Sequence, residues 1–309
     1  MSIRFRSHFP AACLLAVCGW ASASLYAQSA ATPSLPTVNL GLTSFLDGEA
    51  GPGWMVEEYG QGVHDDRTIA ANGTQNHAAP TVNSGSLITH VVWISPKKVL
   101  GAWYGGEVLS PVVYADAQAS GQRGGFGDTT VGPMLQWPQK KIAGMKLDQR
   151  VVLDFELPTG VYSRSPTALN IGANAWTVHP YYAFTLQPAA HWETSWRISY
   201  LWNAVNHAPV ADAGVRSTQA GQALHLNATF GYEVAKGLYV GANGYFLHQL
   251  TDAQVNGVGQ SGTEVVGALG PGMMYHRGSW DYYANAYREF DAVDRSEGNK
   301  LVLRVEHVF

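Results

Sequence analysis

Charge is scarce in this chain. Asp, Glu, Lys and Arg make up 14% of its 309 residues, against about 25% in ordinary soluble domains. Long apolar runs are missing too. No stretch of about 18 apolar residues occurs, so no membrane-spanning helix can be placed. The net charge of −4 offers no basic footprint, which excludes nucleic acid as an expected partner. Cysteine is confined to Cys13 and Cys18. The sequence has no HExxH, GxSxG or paired CxxC, and its 11 His residues show no metal-ligand spacing. No catalytic residue, metal or cofactor is therefore expected, and the chain does not read as an enzyme. Low charge without an apolar run needs an explanation, and composition alone leaves a large all-β soluble domain open beside a membrane barrel. Strands that face lipid hide their apolar residues in a period of two.

Residues 1–27 read as an export signal. Arg4 and Arg6 form a positive start, Phe9 to Gly19 an apolar core, and Ala21, Ser22, Ala23 and Ala27 suit a signal peptidase. The core is too short for a permanent span. Cleavage after Ala27 or Ala23 removes both cysteines. Leu15 to Cys18 faintly suggests a lipoprotein site, but Val17 is too bulky beside the Cys. Residues 28–50 form an N-terminal segment with Leu40, Leu42, Phe45 and Leu46. It is either a periplasmic tail or a plug folded into a lumen.

Residues 51–309 break into strand-like segments rich in Val, Tyr, Trp, Leu and Thr. These fall approximately at 52–63, 84–95, 98–114, 126–138, 145–158, 173–187, 190–205, 222–235, 237–250, 263–276, 279–291 and 298–309. Short connections, at Ser95–Lys98, Gln139–Lys141, Gln187–Ala190, Ala235–Gly237 and His276–Ser279, alternate with longer ones. The longer ones run from 63 to 83, 115 to 125, 161 to 172, 206 to 221 and 251 to 262, with an intermediate one from 292 to 298. Outer-membrane barrels have short periplasmic turns, longer external loops and an even strand count. The pattern predicts one all-β domain: a transmembrane, antiparallel, up-and-down β-barrel of about twelve strands with both termini periplasmic.

The strand faces agree. Across 145–157, Met145, Leu147, Val151, Leu153, Phe155 and Leu157 share one face, and Lys146, Asp148, Arg150, Asp154 and Glu156 the other. A one-residue slip would turn the charges to lipid, at roughly 2–4 kcal/mol for each Lys or Arg near the midplane. Arg150, Asp154, Glu156, Arg197, His225, Arg304 and Glu306 are the candidates to line the lumen or its constriction. The carboxylates are expected to pair with Arg197 or Arg304 across strands. Trp192 and Trp202 share a face of one strand and lie about 33 Å apart along it. A tilt near 40° reduces this to about 25 Å, the height between two aromatic girdles. The chain closes on Phe309, a residue that resembles the assembly signal of bacterial outer-membrane strands.

Six motifs in order point to a family. Gly125-Phe126-Gly127-Asp128 with Gly132-Pro133 resembles its GxGD…GP segment. Leu157-Pro158-Thr159-Gly160-Val161-Tyr162 resembles its LPTGxY, and Asn170 to Thr177 its NIGxNxWT. Gln249-Leu250-Thr251-Asp252, Ala268-Leu269-Gly270-Pro271, and Arg288-Glu289-Phe290 with Arg295-Ser296-Glu297-Gly298 resemble the rest. The chain departs from the pattern at Ala253 and Asp294, where the family has Asp and Asn. Over roughly Gly41 to Phe309 it is similar to the MetA-pathway of phenol degradation family. The resemblance implies a porin-like channel in the bacterial outer membrane that takes up small hydrophobic or aromatic compounds. Its expected partners are the lipid bilayer and lipopolysaccharide, the barrel assembly machinery and a small hydrophobic solute. Two other classes stay open: an outer-membrane lipid hydrolase, and a non-transporting adhesin or scaffold. Each motif also has a purely structural reading, as turns, bulges or strand ends.

Overall fold

The computed structural model describes residues 32–36, 39–79, 81–117 and 121–309. The export signal expected over 1–27, with both cysteines, lies outside the described residues. Among the described residues there are sixteen strands and no helix. They are β1 (Gly53–Ile69), β2 (Val82–Val99), β3 (Ala102–Ala117), β4 (Gly121–Phe126), β5 (Thr129–Ile142), β6 (Met145–Leu157), β7 (Thr177–Ala189), β8 (Trp192–Asn203), β9 (Thr218–Gln219), β10 (Ala223–Ala235), β11 (Leu238–Gln249), β12 (Ala253–Val255), β13 (Val258–Gln260), β14 (Val265–Arg277), β15 (Trp280–Val293) and β16 (Arg295–Val308).

Each long strand pairs antiparallel with its neighbour, and β1 closes on β16 with Tyr59 opposite Arg304. β4 and β5 share one place in the wall. β3 pairs with β4 through Val112–Ala117 and with β5 through Trp103–Leu109, so the strand breaks at Gly127 and Asp128. The result is the closed 12-stranded barrel that the pattern predicts. Strands β9, β12 and β13 form a small separate sheet above the external rim. The alternation runs along the wall strands and is interrupted near the external rim, as at Arg295–Gly298, which are all buried. On β8, Glu193, Ser195, Arg197, Ser199, Leu201 and Asn203 are buried, while Trp192, Ile198 and Trp202 are exposed.

Some boundaries differ from the sequence reading. The turn expected at Ser95–Lys98 lies at Leu100 and Gly101, whose φ values are 51° and 77°. Positive φ at both central residues matches the right-handed strand twist. Pro96 is absorbed where the β2–β3 register shifts between Ile94 and Lys98. Likewise Ala143 and Gly144, with φ of 50° and 84°, replace Gln139–Lys141 as a turn. The stretch 115–125, expected as a loop, is mostly strand, because β3 and β4 continue as a hairpin. The connection expected over 292–298 shrinks to Asp294, at φ 53°. Gly, Gln and Asp carry no alternation that would have marked these extensions.

Candidate functional site

An eight-stranded barrel is just filled by its own side chains. Twelve strands enclose more. Here the surplus space holds residues 32–36 and 39–50, which pack against inward-facing side chains of the wall. Leu35 N–H donates to Glu264 Oε1 (2.7 Å) near the external end. Asn227 brackets the chain below: it accepts from Gly41 N–H (2.7 Å) and donates to Asn39 O (3.0 Å). Lys300 Nζ donates to Leu40 O and Tyr287 OH to Gly41 O. Towards the periplasm, Gly48 N–H donates to Thr185 Oγ1 (2.8 Å), and Gln136 donates to Gly48 O (2.9 Å). Leu35, Leu40 and Leu42 join Leu201, Ala223, Leu247 and Val266 in an apolar cluster, and Phe45 packs with Met274 and Tyr283. The positive φ of Asn39, Leu46 and Gly41 (58°, 60° and 77°) lets the segment fold back on itself inside the barrel.

Two charged assemblies cross the interior. Arg197 holds Asp47 with two bonds (Nε–Oδ2 3.1 Å, Nη2–Oδ1 2.8 Å), the forked geometry that suits a carboxylate. Arg150 Nη2 donates to Asp47 O (3.0 Å). Opposite, Arg304 Nη1 pairs with Glu57 Oε1 (2.9 Å) and lies 3.6 Å over the Tyr283 ring. Glu57 also meets His90 Nδ1, and His90 Nε2 lies 3.2 Å from Glu107. Tyr181 OH donates to Glu107 Oε1 (3.0 Å), while its ring carries the Arg197 guanidinium at 4.6 Å. Tyr181 thus joins the two assemblies into one band across the lumen.

Every lumen residue expected from the sequence lies on an inward face. The pairings differ. Asp154 and Glu156 form no ion pair with Arg197 or Arg304, whose partners are Asp47 and Glu57. Asp47 comes from outside the strands, where alternation gives no signal. Asp154 is fully buried in the space left by Gly132, where an added Cβ would meet its Oδ1 at 2.0 Å. Asp154 lies against the Glu107 carboxyl instead, and Glu156 Oε2 has no hydrogen-bond partner among the described residues. His225 Nε2 lies 3.1 Å from His179 Nε2. Glu306 accepts from Tyr283 OH (3.3 Å). Asp47, Glu57, His90, Glu107, His179 and Tyr181 were not among the sequence candidates, although Glu57, His90 and Glu107 occupy inward positions of their strands. Among the described residues no three His, Cys, Asp or Glu side chains group as metal ligands.

Outward, Trp192 packs with Phe230 (5.0 Å) and Tyr232 (4.7 Å) near the periplasmic turn, and Trp202 is exposed at the other end of the same strand. Phe309 N–H donates to Trp54 O (2.9 Å), which pins the chain end to β1, and its ring stays 74% exposed.

The family motifs meet at the external rim. Asp128, in the break between β4 and β5, accepts Gly160 N–H on Oδ1 (2.7 Å) and Ala173 N–H on Oδ2 (2.6 Å). Gly160 and Gly172 approach so closely that a Cβ on either would lie within 2.8 Å of the other's backbone. Burial raises the Asp128 carboxyl above its ordinary range, against the lowering effect of these backbone donors. Three motifs therefore form one knot. Asn170, Asn206 and Asn256 extend it, each bonding backbone of its own or a neighbouring loop. The closing motif works similarly: Glu289 accepts from Gly298 N–H (3.0 Å) and Tyr245 OH (2.6 Å), and Glu297 pairs with Arg67 (2.9 Å).

A closed antiparallel barrel with an apolar outer face and a polar, bridged interior defines an outer-membrane β-barrel, in contact with the lipid bilayer. The family model described as "Putative MetA-pathway of phenol degradation" matches residues 65–305, and the chain belongs to that family. Among solved structures it is similar to an outer membrane channel from Pseudomonas putida F1, at 19% identity and a TM-score of 0.75, covering 86% of this chain and 100% of that one. A weaker likeness is to the transport unit of the autotransporter AIDA-I from Escherichia coli, at 9% identity, TM-score 0.48, and coverage of 88% and 96%. Another is to a deletion mutant of the TodX monoaromatic hydrocarbon channel, at 9% identity, TM-score 0.44, and coverage of 93% and 97%. No curated protein matches the chain in sequence.

Proposed function

We propose that the protein is a passive outer-membrane channel for small solutes, with aromatic compounds as the favoured class. The observation that carries this reading is the way residues 39–50 are held. The segment makes no strand pair with the wall and is fixed by side chains of separate strands, each making one or two bonds to it. Such a plug is releasable, whereas a paired strand would not be. Arg150, Arg197 and Arg304, with Asp154, Glu156, His225 and Glu306 around them, form the constriction. Solutes enter between the external loops. The family's description and the similar channel from Pseudomonas putida F1 support this class of function. In the same reading Trp192 and Trp202 sit in the two aromatic girdles, and Phe309 is read by the barrel assembly machinery. Lipopolysaccharide surrounds the outer rim, and no catalytic step is assigned to the barrel.

Planar-bilayer recording tests it. The folded protein is expected to pass small ions. Asp47→Ala is expected to raise the open conductance several-fold, because it removes the fork that holds the segment to Arg197. A folded barrel that conducts neither as wild type nor as Asp47→Ala would sink the channel reading.

A further inference from the structure

One row of wall residues grips the segment. Gln136, Arg150, Ala183, Arg197 and Asn227 lie opposite one another across β5, β6, β7, β8 and β10, and all are buried on the inward face. Gln136 bonds Gly48 O, Arg150 bonds Asp47 O, Arg197 bonds the Asp47 carboxylate, and Asn227 bonds Asn39 and Gly41. Ala183, the smallest of the five, separates the two arginines. Their Cα atoms are two strand spacings apart, about 10 Å. Asp47 sits between their heads, with its carboxylate on Arg197 and its carbonyl oxygen on Arg150. Charge in this row is unbalanced. Two guanidinium groups share one carboxylate, and it belongs to the segment. Arg197 has its ion pair with Asp47, and Arg150 has none among the described residues. Arg150 Nε is buried without a hydrogen-bond partner. The wall carboxylates of the band are engaged elsewhere: Glu107 meets Tyr181 OH and His90 Nε2, and Glu57 pairs with Arg304. When residues 39–50 leave, the arginine pair is left to attract an anion from the lumen.

We propose that the Arg150–Arg197 pair is a binding site for the carboxylate of a small organic acid, and that Asp47 is a built-in pseudo-ligand which the acid displaces. The acid's way in rests on the channel reading above. The chemistry of the pair selects the class. A planar guanidinium offers two parallel N–H donors to the two oxygens of a carboxylate, and Arg197 already holds Asp47 in that geometry. A spherical anion such as chloride cannot use both prongs of the fork. An ammonium group is repelled, and a neutral solute leaves both charges unpaired. The body of the acid is specified too. One step towards the outside, Met134, Val152 and Tyr181 form a buried apolar row on β5, β6 and β7, directly above Gln136, Arg150 and Ala183. The acid therefore carries one carboxylate, directed towards the periplasm, and an apolar body. A dicarboxylate is disfavoured, because its second charge would lie on the apolar row and beside Glu107.

The test is equilibrium dialysis of benzoate, with benzamide as the same ring without the charge, against the folded protein in detergent. Wild type, Asp47→Ala, and Asp47→Ala combined with Arg197→Gln are compared, and heat-modifiable migration on gels verifies that each barrel has folded. Arg150→Gln replaces Arg197→Gln if the latter does not fold. Benzoate is expected to bind Asp47→Ala roughly tenfold more tightly than wild type, because only a fraction of wild-type molecules has the pair free. That gain is expected to vanish in the double variant. Cyclohexanecarboxylate is expected to behave as benzoate does, and benzamide to bind none of the three. Equal binding of benzoate to wild type and Asp47→Ala, a gain that survives loss of the arginine, or benzamide binding as tight as that of benzoate would each overturn the site. Planar-bilayer recording on the same proteins keeps the two ideas apart. If the dialysis pattern holds and none of them conducts, the site stands and the channel reading falls. If they conduct and benzoate binds none of them, the channel stands and the site falls.

Discussion

Two parts of the molecule hold non-strand chain against the barrel, and they do it in opposite ways. In the lumen, side chains from many strands each make one or two bonds to the segment's backbone, from Glu264 at the top to Thr185 near the periplasm. At the external rim, one carboxylate gathers backbone from two distant motifs, and the loops beyond are laced by asparagines. Bonds distributed over many strands, one or two from each side chain, allow a segment to leave stepwise. A buried carboxylate with two backbone donors does not yield that way, because its loss strands both donors at once. On the channel reading proposed above, the lumen segment is the part expected to move and the rim the part expected to stay fixed.

The largest effect of a single change is therefore expected at the rim. Asp128→Ala removes the acceptor of two short bonds. Hydrogen bonds to a charged group contribute about 1.5–3 kcal/mol each, so a loss of about 3 kcal/mol is expected in urea unfolding of the folded barrel. The loop over 158–176 should loosen first. Trypsin cleavage after Arg164, whose side chain now reaches Pro209 O (3.2 Å), is expected to accelerate in the variant. Unchanged cleavage and unchanged unfolding would show that the asparagine lacing alone holds the rim.

A smaller effect is expected in the lumen. Gly231 faces Phe45, and a Cβ there would lie 2.6 Å from the Phe45 ring and 2.8 Å from Glu193 Oε1. Phe45 is completely buried, so Gly231→Ala must displace it. Overpacking of this kind costs about 1–3 kcal/mol. The cost should fall on the segment and spare the barrel. The expected outcome is faster hydrogen exchange at residues 44–48 with unfolding of the barrel unaltered. If the barrel itself unfolds more easily, the segment is an integral part of the core and the contrast with the rim fails.

This contrast also explains what could be read from the residues alone. The wall was legible because each strand repeats one decision, apolar out and polar in, and Met145 to Leu157 makes it at every position except Gln149 and Val152. The inward set followed from the same alternation. Partner choice did not, since Arg197 takes its carboxylate from Asp47, which belongs to no strand. The rim was half legible. Gly125 to Pro133, Leu157 to Tyr162 and Asn170 to Thr177 stand out as motifs, but only their meeting at Asp128 gives them a shared role. Turn positions were misplaced where non-Gly residues such as Leu100 and Ala143 adopt positive φ, which is uncommon outside Gly, Asn and Asp.

The smallest effect concerns the top of the segment. Glu264 is buried beside Leu35 and Arg295, and burial outweighs both in raising its carboxyl to about 7. A carboxyl with a raised folded-state value favours the ordered form when protonated. Its contribution is complete below the ordinary value of 4.5 and is lost as the pH rises through about 7. The upper end of the segment should then be held more firmly at pH 5 than at pH 8. Hydrogen exchange at Leu35 is expected to be slower at the lower pH by more than the intrinsic rate change predicts. Glu264→Gln keeps an acceptor for Leu35 without the titration, and should remove that excess while leaving residues 44–48 as they are. If the excess persists in Glu264→Gln, the pH dependence belongs to another group, and the hold on this end of the segment is as insensitive to charge as the rim is rigid.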